Sequence, residues 1–98
     1  MRSLLLASAL ILGAAAAPAA ASGRMTCDAP RAQWKGEAAL TRKLGAEGWK
    51  VRKAKVDGGC YEVYGTDPQG NRVEAYFDPA TLEKLLVSRR GQVLFRKK

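Results

Sequence analysis

The residues with the most definite chemistry in this 98-residue chain are its two cysteines, Cys27 and Cys60. Where thiols are oxidised, such a pair reads as one disulfide. Little else supports catalysis. The chain has no histidine, which removes the commonest general base and the commonest metal ligand together. With both thiols committed to each other, neither a thiolate nucleophile nor a cysteine-based zinc site remains. The nine carboxylates stand singly, mostly beside basic side chains, and Ser22 and Ser88 belong to no nucleophile motif. Gly58-Gly59 and Gly70 sit in hairpin turns, whereas a phosphate-binding loop needs a strand-to-helix context. The expectation is a non-enzymatic protein with no catalytic residue, no cofactor and no metal site.

Binding chemistry is better represented. The formal net charge is +8, and cations gather at Lys50, Arg52, Lys53 and Lys55 and in the tail Arg89, Arg90, Arg96, Lys97 and Lys98. Such clusters attract anionic lipid or polysaccharide through forces that salt screens. The competing role is solubility, since a charged fraction of 27% is near the usual ~25%. Neither cluster has the interleaved aromatics of a nucleic-acid groove, so no nucleic acid is expected. Tyr64 and Tyr76 are candidate partner contacts on an exposed sheet face, although cross-strand aromatic pairs also simply stabilise sheets, by about 0.2–1 kcal/mol. Trp34 and Trp49 bracket a helical stretch and are expected to cover the core.

The compartment follows from the N-terminus. Arg2 is followed by an apolar run from Leu4 to Ala17 and by small residues at Pro18-Ala19-Ala20-Ala21-Ser22, the pattern of a secretory signal peptide over 1–21. The apolar run is shorter than the ~20 residues a membrane span requires. A lipoprotein is also disfavoured, because Arg24-Met25-Thr26 precedes Cys27 where small residues would be needed. Cleavage after Ala21 leaves residues 22–98 as one periplasmic or secreted domain with no transmembrane segment, expected to be a monomer. A domain this small buries only ~60% of its unfolded surface, so a covalent tie matters.

The elements that must position these residues are an arm, a helix and a meander. Residues 22–35 show no period and contain Pro30, so Cys27 should staple an extended arm to the hairpin beginning at Cys60. A helix is expected over about 37–46, with Trp34, Ala38, Leu40, Thr41 and Leu44 toward one side, Gly36 as N-cap and Gly48 at the end. Gly45 is expected to permit close packing on the sheet. Strands are expected at about 49–56, 60–66, 72–78 and 83–89. In the first, parity breaks between Val51 and Ala54, which implies a bulge near Arg52-Lys53, and its lysines suit an edge. In the next two, Tyr61, Val63, Val73, Ala75 and Phe77 alternate inward, leaving Glu62, Tyr64, Arg72, Glu74 and Tyr76 as an outer surface. Leu82 to Arg89 fits a fourth strand or a short helix, with the strand preferred, and 90–98 forms a basic tail in which Val93 to Phe95 could pair weakly. The fold class is α+β, one N-terminal helix on a three- to four-stranded antiparallel meander.

The order Cys27, Trp34, Leu44-Gly45-Ala46-Glu47-Gly48-Trp49, Gly59-Cys60-Tyr61-Glu62-Val63-Tyr64 and Gly70-Asn71-Arg72-Val73-Glu74-Ala75-Tyr76-Phe77-Asp78-Pro79-Ala80-Thr81 resembles the PepSY family, in its small exported stand-alone form. The likeness covers roughly Cys27 to Arg89. The family usually has glycine after the threonine of Asp-Pro-x-Thr, where this chain has Leu82. The resemblance implies a helix packed on an antiparallel sheet and a module that binds an exported protease or other envelope protein, inhibiting or regulating a peptidase. It supplies no catalytic residues. A cationic module recognising the anionic envelope surface is the alternative.

Overall fold

The computed structural model describes residues 24–98; the signal peptide assigned to 1–21 lies outside them. Helix α1 spans Glu37–Ala46. It starts after Gly36 with Glu37 in the first turn, where a carboxylate favours the positive end of the helix dipole. At the other end Gly48 takes a φ of 97°. That conformation lets the Gly48 N–H reach the Gly45 carbonyl at 3.1 Å and the Trp49 N–H the Leu44 carbonyl at 2.9 Å, a Schellman closure that also drops Trp49 into the core.

Five strands follow: β1 (Lys50–Asp57), β2 (Cys60–Thr66), β3 (Arg72–Phe77), β4 (Lys84–Arg89) and β5 (Gln92–Arg96). They form one antiparallel sheet in the order β1-β2-β3-β4-β5. The α+β class holds, but the strand count is five, correcting the three to four expected, because residues 92–96 pair with β4 and are no free tail. Arg90 and Gly91, with φ of 51° and 82°, make the tight turn between them. β1 is bulged between Val51 and Lys53, which returns Ala54 to the helix side.

The helix covers one face. Leu40 and Leu44 pack with Trp49, Tyr61, Val63, Val73, Ala75, Phe77, Leu82 and Val87 in a single apolar cluster. Trp34 meets Tyr61 edge-on at 5.5 Å and Trp49 meets Phe77 likewise at 5.9 Å, geometries that aromatic quadrupoles favour. The Tyr61 hydroxyl donates to the Lys35 carbonyl at 2.6 Å, and the Trp34 indole N–H to the Ala29 carbonyl at 2.9 Å, so the polar atoms of this ring pair are satisfied. Two helix expectations are corrected. Ala39, not Ala38, packs on the core, and Gly45 is exposed with open space around it instead of facing the sheet.

The other face is not a bare surface. The arm crosses it, with a short 3-10 turn at Arg31–Gln33 before the helix, and the Cys27–Cys60 disulfide joins it to β2. The Cys27 N–H donates to the Gly58 carbonyl at 2.9 Å. Gly58 and Gly59, at φ of 63° and 81°, turn the β1–β2 hairpin directly beneath the arm; a methyl group on Gly58 would lie 2.6 Å from the Met25 carbonyl oxygen. Cys60, Tyr76 and Leu86 form a second apolar cluster under Met25, Cys27 and Leu85.

Candidate functional site

Of the residues singled out from sequence as partner contacts, the structure brings together Arg52, Lys53, Lys55 and Tyr64. Lys53 and Tyr64 are direct cross-strand neighbours, as are Lys55 and Glu62, so the two ammonium groups lie 5.8 and 5.7 Å from the Tyr64 ring centre. Arg52, Lys53 and Tyr64 line a shallow cleft of about 440 Å³. Lys50 is exposed but sits opposite Thr66, at the far end of the strand.

Beneath this patch lies Glu62, 3% exposed, with the Lys55 ammonium 3.8 Å away. Burial pushes its carboxyl above the usual carboxylate range, opposed by the neighbouring Tyr64 hydroxyl and Lys55. The Tyr64 phenol is pushed up to about 12, chiefly by burial and then by the Glu62 carboxylate beside it. The sequence predicts Glu62 on an exposed face; its cross-strand neighbours Lys55 and Tyr76, with Tyr64 beside it, bury it instead.

Tyr76 is the clearest correction. Its parity does point away from the helix, but only 1% of it is exposed, because that side carries the arm. Its hydroxyl donates to Asp57 Oδ2 at 3.1 Å and accepts the Arg24 N–H at 3.4 Å. Burial raises its phenol far above the ordinary value. Tyr76 fastens the arm to the sheet and is unavailable to a partner.

The exposed apolar surface lies elsewhere. Among the described residues β1 and β5 are the two sheet edges. β1 presents Lys50, Arg52, Lys53 and Lys55, the usual guard against strand pairing. β5 presents Val93, Leu94 and Phe95, which are 42%, 44% and 37% exposed. A register shift opposite Val87 and Ser88 makes Leu94 the extra residue of a bulge, and Leu94 and Phe95 line a groove with Trp49 and Val87. Lys84 lies 4.2 Å over the Phe95 ring. The sequence reading allows Val93 to Phe95 a weak pairing within a basic tail and does not single them out as a partner surface; the signal for that is the three-residue apolar run after the Arg90-Gly91 turn.

Among the described residues no group of His, Cys, Asp and Glu could hold a metal ion, and no helix is long and apolar enough to cross a membrane. No curated protein and no solved structure matches the chain. A PepSY family model, described as peptidase propeptide and YPEB domain, matches residues 4–86. The disulfide and that family are both compatible with a place outside the cytoplasm. The match takes in the helix, strands β1 to β3 and the Asp-Pro-x-Thr turn, and the chain accordingly belongs to the PepSY family.

Proposed function

We propose that this chain is a non-enzymatic module, periplasmic or secreted, that binds a protein partner and inhibits or regulates a peptidase. Membership of a family described by peptidase propeptides supports the association with peptidases. The observation that carries the reading is the β5 edge, where Val93, Leu94 and Phe95 stand exposed on a sheet locked by a disulfide. A preorganised edge binds without paying much ordering entropy, and peptidases handle extended chain, the conformation that adds to a sheet edge. Apolar and main-chain contacts of this kind are less screened by salt than surface ion pairs.

The test is a pull-down from the exported fraction at low and high salt with oxidised protein as bait, followed by peptidase assays on whatever is retained. A stoichiometric complex that persists at high salt and alters peptidase activity is expected. Recovery of no protein at either salt would defeat the proposal.

The grouping of Lys53 and Lys55 around Tyr64 favours a second reading, a cationic module for anionic lipid or polysaccharide. It predicts vesicle binding that collapses with added salt and is abolished by K53E/K55E. Unchanged binding by that variant removes it.

A further inference from the structure

Two concavities adjoin at the end of the sheet that carries the β2–β3 and β4–β5 turns, and Asn71 lines both. The first is the groove of about 440 Å³ walled by Trp49, Val87, Leu94 and Phe95. The second, about 410 Å³, is lined by Gly70, Asn71, Arg72, Arg89 and Arg90. Every charged side chain in that second lining is an arginine.

The acids and bases around these concavities differ in what already occupies them. Two carboxylates border the groove, and both are engaged: Glu47 with Lys43 at 2.9 Å, and Asp67 with the backbone N–H groups of Gln69 and Asn71 at 3.0 and 2.8 Å. Among the described residues no carboxylate pairs with these arginines. Arg89 donates to the Asn71 side-chain carbonyl at 3.2 Å, and the Asn71 amide donates in turn to Asp67 Oδ2 at 3.2 Å, so the guanidinium is held beside the pocket by a neutral acceptor with Asp67 one side chain behind it. The turn that carries Arg90 holds it at a φ of 51°, on the corner next to the exposed apolar residues of β5.

We propose that the two concavities together recognise an extended acidic segment of a protein partner. An apolar side chain of that segment enters the groove against Trp49, Leu94 and Phe95. An aspartate or glutamate next along it meets Arg72 and Arg89, whose planar forks match a carboxylate. Its main chain runs beside β5. Charge complementarity selects the acidic flank, and the apolar walls give the segment a hold that a bare phosphate or sugar anion could not use. The inference rests on the protein-binding reading above and specifies which segment is recognised.

The test uses full-length oxidised protein and a short labelled peptide alternating leucine with aspartate and glutamate, read by fluorescence anisotropy. Binding is expected, weakened roughly tenfold or more by R72Q/R89Q, by Leu94→Ser, and by N-methylation of the peptide backbone. The altered residues are exposed, and an unchanged melting curve for each variant confirms that the site alone was altered. No binding, equal binding of a peptide with lysines in place of its acids, or binding indifferent to both variants overturns the proposal. Equal competition by inorganic phosphate or by phosphatidylglycerol vesicles also overturns it, by showing a general anion site. If R72Q/R89Q still retains the exported partner in full while the peptide fails, the protein-binding reading stands and this assignment falls.

Discussion

Leu82 offers an unusual inversion of a common rule. It has a φ of 65°, a left-handed conformation that costs a non-glycine residue roughly 1–2 kcal/mol, and it stands where PepSY chains usually have glycine. The turn is nonetheless fully specified. Asp78 Oδ1 accepts the N–H groups of Ala80 and Thr81 at 2.8 and 3.2 Å, the Thr81 hydroxyl accepts that of Glu83 at 3.1 Å, and the Leu82 N–H closes on the Asp78 carbonyl at 2.7 Å. The side chain offsets the strain by burial, being 6% exposed within the main apolar cluster. Leu82→Ala loses that burial and keeps the strain, so it should cost about 2–5 kcal/mol. Leu82→Gly loses the same burial and relieves the strain, so it should be more stable than the alanine variant by about 1 kcal/mol. Urea titrations followed by circular dichroism, with both variants oxidised, measure the difference directly. In helices and strands alanine beats glycine by a similar margin, so an alanine variant equal to or more stable than the glycine one would refute the left-handed turn.

Three further outcomes follow from the geometry. Replacing both cysteines, as C27A/C60A, opens a loop spanning 33 positions and should cost roughly 4 kcal/mol, most of the stability of so small a domain; a urea midpoint barely moved would show the arm to be ornamental. Glu62 has a folded-state pKa raised above its ordinary value of 4.5, so its contribution is most favourable below that value and is lost as pH rises through the raised one. Glu62→Gln should therefore stabilise the protein at neutral pH, with the advantage shrinking toward acid, and equal melting temperatures at neutral pH would contradict the buried placement. All three tyrosines are shifted upward, Tyr64 to about 12, so native protein should show no phenolate formation at the ordinary value of 10.0. Because a raised folded pKa means stability lost as pH rises through it, alkaline unfolding should accompany the phenolate absorbance; Tyr64 or Tyr76 titrating normally in folded protein would count against the enclosed outer face.

What could be read from the chain beforehand depended on whether one local rule decided the outcome. Glycines at 36 and 48 punctuate the helix, the Asp57-Gly58-Gly59 hairpin needs positive φ, and the parity break between Val51 and Ala54 marks the bulge. The disulfide was legible because the chain has no other cysteine. Alternation correctly separated the two sheet faces, but it cannot say what covers each of them. Tyr76 and Glu62 point away from the helix; the burial of Tyr76 depends on an arm brought over from distant sequence by Cys27, and that of Glu62 on the strands either side of it. β5 was legible only as a weak pairing of Val93 to Phe95, because its bulge at Leu94 erases alternation and its turn uses Arg90 in a conformation usually left to glycine, asparagine or aspartate. The arginine pocket was visible only in part: Arg89 and Arg90 stood out as cations, while Arg72 joins them through the sheet register.

Site-specific photocrosslinking in the exported compartment puts the protein-binding account to its most direct trial, with the reactive group at Leu94 in one protein and at Lys53 in another. Capture of a single peptidase through Leu94, and of nothing comparable through Lys53, is the predicted result. A partner taken only through Lys53, or no protein taken through either position, would contradict it.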